Sequence, residues 1–131
     1  MLGTPLQVFK TRRFARFARQ ERIANATLLE AIARAERGLI DSDLGGGLIK
    51  QRVARQGQGR SGGYRVIVAY RAKAKAILLF GFAKNNRENI TPDELVFLRE
   101  LSENWLAAGA ARIQKEIEAG NLKEIEDGEE A

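Results

Sequence analysis

The chain contains no cysteine and no histidine. Without cysteine there is neither a disulfide framework nor a thiolate nucleophile. The loss of both residue types removes the usual ligands of zinc, copper and haem, and no Ser-His-Asp relay can form. The carboxylates show no spacing that suggests a metal pair or a glycosidase pair, so no metal and no cofactor is expected. Long apolar runs are missing too. The longest, Ala76 to Ala83, is closed by Lys75 and Lys84, far short of the roughly 20 residues of a membrane-spanning helix. The opening MLGTPLQVFKTRR has no apolar core of signal-peptide length. These absences describe a soluble, cytoplasmic protein.

What the chain has in excess is positive charge. It carries 22 Lys and Arg against 17 Asp and Glu, a formal net charge of +5. The excess is uneven: residues 1–112 hold twice as many cations as anions, whereas 113–131 end in the acidic EIEDGEEA. A body this basic favours polyanions, nucleic acid first among them. The acidic end reads as a solvated tail, with folding back onto the basic surface as a phosphate mimic the alternative. The length suits one domain, read as residues 1–112, followed by a helix end and tail over 113–131.

Gln7-Val8-Phe9 suggests a short strand. Thr11 is placed to cap a helix through Phe14 and Phe17. A second helix starts near Asn25 or Thr27, where Thr27 and Glu30 have capping-box spacing, and it ends at Gly38. Asp41 to Gly47 reads as a turn. Leu48 to Ala54 alternates as a strand, with Leu48, Lys50, Arg52 and Ala54 on one face and Ile49, Gln51 and Val53 on the other. Gln56 to Gly63 reads as a flexible hairpin loop, Tyr64 to Arg71 and Ile77 to Ala83 as strands. Thr91-Pro92-Asp93-Glu94 is a strong helix start, and the stripe Leu95, Leu98, Leu101, Trp105, Ala108 continues toward Ile117, with Gly120 as a stop. The fold class is α+β: an antiparallel sheet of about four strands, two helices before it and one long helix after.

Five cations converge in this arrangement. Lys50 and Arg52 share a strand face, Arg65 can join them from the next strand, and Lys84 and Arg87 follow the last strand. Together they can surround one phosphate, whose transfer needs charge stabilisation more than covalent chemistry. A chain without histidine needs another proton acceptor, for which a Lys with a pKa lowered by neighbouring cations is a candidate. The plainer reading of each one alone is a solvated strand-face charge. Arg55 and Arg60 flank and occupy the glycine-rich loop, whose backbone N–H groups can approach an anion; with Asn85 they complete the candidate RNA-binding set. The loop is not a phosphate-binding P-loop, since Ala54 stands where its first glycine belongs and no helix follows. Tyr64 and Tyr70 share a face with Val66 and Val68 and read as core rather than base-stacking rings. The arginines of the first helix, Arg12, Arg13, Arg16, Arg19 and Arg22, read as its wet side.

The segments LIKQRVARQGQGRSGGYRVIVAY and LLFGFAKNNRENITPDEL, with a GGYR strand opening and an FAKN-x-R strand exit, resemble the RelE/ParE superfamily of bacterial toxin–antitoxin systems, most of all its HigB-like, RelE-type branch. The likeness covers roughly residues 6–107. It implies a compact fold with the active surface on the sheet, metal-free cleavage of messenger RNA (commonly on the ribosome) by attack of a ribose 2′-hydroxyl on its own phosphate, and a neutralising antitoxin as partner. Family positions fall on Lys50, Arg52, Arg65, Lys84 and Arg87. Two features depart from the family: Asn85 stands where many of these toxins have Arg, and no Tyr follows Tyr70 to stack on a base. A gyrase inhibitor of the ParE kind shares the fold and is one alternative; a non-catalytic basic binding or regulatory protein is another.

Overall fold

The computed structural model describes residues 6–55, 59–87 and 89–126, the side chains of 59–62 excepted. A six-stranded sheet runs in the order β2-β3-β4-β5-β1-β6. In chain order the elements are β1 (Gln7–Thr11), α1 (Arg12–Glu21), α2 (Asn25–Glu36), β2 (Ser42–Gly45), β3 (Leu48–Arg55), β4 (Gly59–Arg71), β5 (Lys75–Ala83), α3 (Pro92–Ala107), α4 (Ala110–Glu118) and β6 (Leu122–Ile125).

The sheet is buried on both faces, so its strands read as nearly continuous apolar runs. Phe14, Ala18, Leu28 and Ile32 of α1 and α2 pack on Val53, Val66, Val68 and Leu78. Leu98, Leu106 and Ile113 of α3 and α4 pack on Phe9, Leu48, Ile67 and Ile77 from the other side. Alternation along β4 divides these sets, Val66 and Val68 going one way and Ile67 and Ala69 the other.

The helix signals are largely honoured. Thr11 Oγ1 accepts from the Phe14 N–H at 3.1 Å. Thr91 and Glu94 form a reciprocal capping box, with Pro92 at the first position of α3. Such a cap contributes about 1 kcal/mol. Gly38 and Gly120 follow α2 and α4 with φ of +85° and +81°. In each case the next N–H returns to the helix, Leu39 to the Arg34 carbonyl and Asn121 to that of Glu116.

Several expectations are corrected. The sheet has six strands rather than about four, because the turn at Asp41–Gly47 contains β2 and the expected tail contains β6. It is not wholly antiparallel, since β1 runs parallel to β5 with Phe9 opposite Ile77. Two helices and three strands separate β1 from β5, so no hairpin fixes their relative direction. The long last helix breaks at Ala108, whose extended ψ of 127° ends α3 before α4 begins. The Thr27–Glu30 capping box is not used: α2 starts at Asn25 behind Ala24, without a side-chain cap, and Glu30 pairs with Arg34. Of the expected loop at 56–63, residues 56–58 lie outside the described part, and β4 already begins at Gly59.

Beyond residue 112 the chain remains part of the fold. Ile113, Leu122 and Ile125 are buried, and β6 pairs antiparallel with β1, Thr11 opposite Leu122. Among the described residues no helix is long and apolar enough to cross a membrane.

Candidate cationic site on the sheet

Register explains how the basic residues gather. Arg52 of β3 stands opposite Arg65 of β4, and Arg65 stands opposite Phe82 of β5. Two pairs along, Lys50 faces Ile67 and Ile67 faces Phe80. These residues lie on the face that α3 covers.

Phe80 and Phe82 reach that face through an irregularity. Ile67 pairs with Phe80 but Val68 pairs with Leu78, so Leu79 is an extra residue in β5. A bulge reverses the alternation beyond it. Ile77 and Leu79 already point toward α3, and the bulge sends Phe80 and Phe82 the same way. Without it Gly81 and Ala83 would occupy that surface.

Arg87 lies over this aromatic pair, its guanidinium carbon 5.6 Å from the Phe80 ring centre and 5.3 Å from that of Phe82. Its Nε donates to the Asn89 carbonyl at 3.1 Å, and its Nη2 is paired with Glu94. The Arg87 guanidinium, then the Thr91 N–H, hold the Glu94 carboxyl below its usual pKa. Glu94 thus joins the start of α3 to the site. Asn89 joins Lys50, whose Nζ donates to Asn89 Oδ1 at 3.1 Å.

Arg65 is more enclosed than Lys50, Arg52, Lys84 or Arg87, at 9% exposed. Burial, and next the neighbouring charge of Arg52, push its pKa down, while Asp41 acts in the opposite sense. Arg52 is half exposed and ion-paired to Asp41 at 3.1 Å. Burial works against the charge on Asp41, but hydrogen bonds from the Arg52 backbone, the Arg52 side chain and Arg34 hold its pKa below the usual value.

Lys50, Arg52, Arg65 and Arg87 therefore share one surface. Lys84 is exposed at the same end of the sheet, its N–H bonded to the Gly63 carbonyl at 3.0 Å. Asn85 is exposed in the turn that follows. Arg55 is elsewhere: its guanidinium lies 5.6 Å from the ring centre of Tyr64, on the α1 face. The side chain of Arg60 lies outside the described part. Tyr64 and Tyr70 pack in or against the α1–α2 core, Tyr64 edge-on to Phe17 at 5.8 Å.

Asp41, Asn89, Phe80, Phe82 and the ion-pairing role of Glu94 join the site without a local sequence signal. Glu94 was visible as a cap, but nothing local marks a cap as the partner of Arg87. Among the described residues no group of three or more acidic side chains is placed to hold a metal ion. The surface is suited to concentrating positive charge on one phosphate, backed by two rings and held by two carboxylates.

The model of one protein family, described as the RelE toxin of the RelE/RelB toxin–antitoxin system, matches residues 6–125. No curated protein matches the chain.

Proposed function

Because the chain belongs to the RelE toxin family, we propose that this toxin is a metal-independent endoribonuclease of the HigB-like branch that cuts messenger RNA on the ribosome. Toxins of the family pair with an antitoxin and are generally ribosome-dependent endoribonucleases. The observation that carries the reading is the cross-strand set Arg52, Arg65 and Lys50, with Arg87 above the neighbouring rings.

In the proposed reaction a ribose 2′-oxygen attacks the adjacent phosphorus as its proton leaves. A 2′,3′-cyclic phosphate forms, and the departing 5′-oxygen takes up a proton. Arginine stays protonated in proteins, so Arg52 and Arg65 act by charge on the phosphate and on the pentacoordinate transition state. Proton transfer falls to the lysines, Lys50 as acceptor and Lys84 as donor to the leaving oxygen. Arg87, paired to Glu94 and resting on the rings, serves the substrate electrostatically. Arg55, Arg60 and Asn85 are proposed contacts to flanking RNA. The partners are the cognate antitoxin, messenger RNA and the ribosome.

Induced expression in a bacterial host, with primer extension of transcript ends, tests this. New 5′ ends inside translated regions, lost in Arg65→Ala and in the more exposed Arg52→Ala, are expected. Growth arrest with intact transcripts and broken DNA would overturn the reading in favour of gyrase. Growth without arrest, with the protein soluble, would overturn it in favour of a non-catalytic binding protein.

A further inference from the structure

We propose that Asp41, seated on the buried Arg34, is the positioning residue that holds Arg52 ready for a phosphate. The inference rests on the ribonuclease reading for its purpose but on geometry for its substance.

Strand β2 ends, toward the site, at Ser42 opposite Lys50. Two residues along β3, the outward N–H and C=O of Arg52 therefore have no strand partner, and an edge group left without one is costly to enclose. Asp41 and Arg34 take the place of the missing strand. Asp41 Oδ2 accepts the Arg52 N–H at 2.7 Å, and Arg34 Nη2 donates to the Arg52 carbonyl. The same Asp41 then accepts from the Arg52 guanidinium, Oδ1 to Nη2 at 3.1 Å. One ion pair thus grips Arg52 at its N–H, its carbonyl and its side chain.

The grip has a rigid base. The Arg34 side chain is 5% exposed; its Nε reaches Glu30 Oε2 at 3.1 Å and its Nη1 reaches Asp41 Oδ2 at 3.3 Å. Arg34 thereby links α2, the α2–β2 connection and β3. The Asp41 N–H in turn donates to Oε1 of the fully buried Gln51 at 2.7 Å. Asp41 is thus fixed from both sides, whereas the side chain it holds is 48% exposed. A half-exposed arginine otherwise samples many rotamers, and ordering a long side chain costs conformational entropy. A guanidinium held in advance meets a phosphate without that loss, which is the advantage of preorganisation.

Electrostatics adds a second reason for a carboxylate here. Arg52 and Arg65 are direct cross-strand neighbours, and like charges so placed repel. Asp41 offsets that repulsion for Arg52 through contact and for Arg65 through space. It sits on the side of Arg52 away from β4, so it steadies the pair without standing between the two arginines.

The test uses the full chain, a single-stranded RNA oligonucleotide with 2′-O-methyl riboses to prevent cleavage, and the variants Asp41→Asn, Asp41→Ala, Arg52→Ala and Asp41→Ala/Arg52→Ala. Asp41→Asn keeps the shape and one acceptor if the alanine variant folds poorly. Each single variant is expected to weaken binding by about 10-fold, one charge-assisted hydrogen bond, and the double variant should be no weaker than Arg52→Ala alone. Additive losses in the double variant, or an Asp41→Asn variant that binds within about twofold of the parent, would overturn the positioning role. Nitrogen-15 spectra of the Arg52 Nε–H group give a readout independent of RNA. An ordered, slowly exchanging signal in the parent that becomes mobile in Asp41→Asn, with core amides unmoved, supports the clamp; a signal mobile in both overturns it. If the parent binds no free RNA, as a ribosome-dependent nuclease can, the Arg52 signal alone decides the clamp, and the mapping of transcript ends separately decides the ribonuclease reading.

Discussion

Arg52 faces Arg65 across β3 and β4 and turns its backbone N–H away, toward Asp41. That makes the two arginines a non-hydrogen-bonded pair, the kind in which facing side chains come closest. Two cations held so near cost about 0.2–1 kcal/mol, so the arrangement is poor for stability and useful for an anion. Arg52→Ala relieves the repulsion but loses the ion pair to Asp41. We expect a melting temperature within about 4 °C of the parent, while RNA cleavage falls at least ~100-fold, as when one transition-state donor is removed. Thermal melts beside single-turnover cleavage check this; a large fall in stability with cleavage retained would show that Arg52 is structural.

Charge on a phosphate also shows in salt dependence. If Arg52 neutralises one RNA phosphate, Arg52→Ala should make the slope of log affinity against log salt shallower by about 0.7. Arg55→Ala probes the other face, above Tyr64. If Arg55 touches flanking RNA it produces a similar change, and if it only covers Tyr64 the slope stays at the parental value. Titrations between low and physiological salt separate the two outcomes.

Glu94 serves the helix and the site together, and the two roles can be parted. Glu94→Gln keeps the capping-box geometry, which glutamine also supports, but removes the charge that Arg87 pairs with. The pair is a third exposed on each side, so solvent screens it and the expected drop in melting temperature is only about 2 °C at neutral pH. The folded-state pKa of Glu94 lies below its ordinary 4.5. Its contribution is therefore complete above pH 4.5 and fades as pH falls through the lower folded-state value. Parent and Glu94→Gln should converge in stability toward strongly acid pH. A gap that persists there would mean that the substitution disturbs packing rather than charge.

The legible parts were those with short-range causes. Alternation put Lys50 and Arg52 on one face of β3, and the Thr91-Pro92-Asp93-Glu94 start of α3 stands as read. The convergence of Lys50, Arg52, Arg65 and Arg87 followed from hairpin order, with Lys84 at the same end of the sheet. What escaped depends on contacts between distant segments. Nothing near Leu79 announces a bulge, yet that one residue decides whether Phe80 and Phe82 or Gly81 and Ala83 lie beneath Arg87. Asp41 read as a turn residue because its partners, Arg34 and Arg52, sit on two other elements. Arg55, the next residue on the Val53 side of β3, lies over Tyr64 on the face opposite Arg52, a placement that its nearness in sequence to Arg52 does not show.

The acidic end gives the last prediction. Its charge suggests a tail that can be removed without harm, but β6 completes the sheet beside β1, and Leu122 is 3% exposed among Phe9, Ile113 and their neighbours. Arg12 reinforces the junction: its Nη2 donates to Asn121 Oδ1 at 2.7 Å and its Nε to the Gly120 carbonyl at 3.2 Å, closing the end of α4 against the start of α1. Truncating a buried leucine to alanine costs about 2–5 kcal/mol, a large share of the total stability of a domain this size. We expect Leu122→Ala to lower the urea midpoint by that equivalent and deletion of residues 113–131 to leave little folded protein. A deletion confined to residues 127–131 spares α4 and β6, and only that variant can ask whether acidic residues compete with RNA for the cationic face. If the 113–131 deletion instead melts like the parent, β6 is not integral to the sheet and the acidic end is dispensable to the fold.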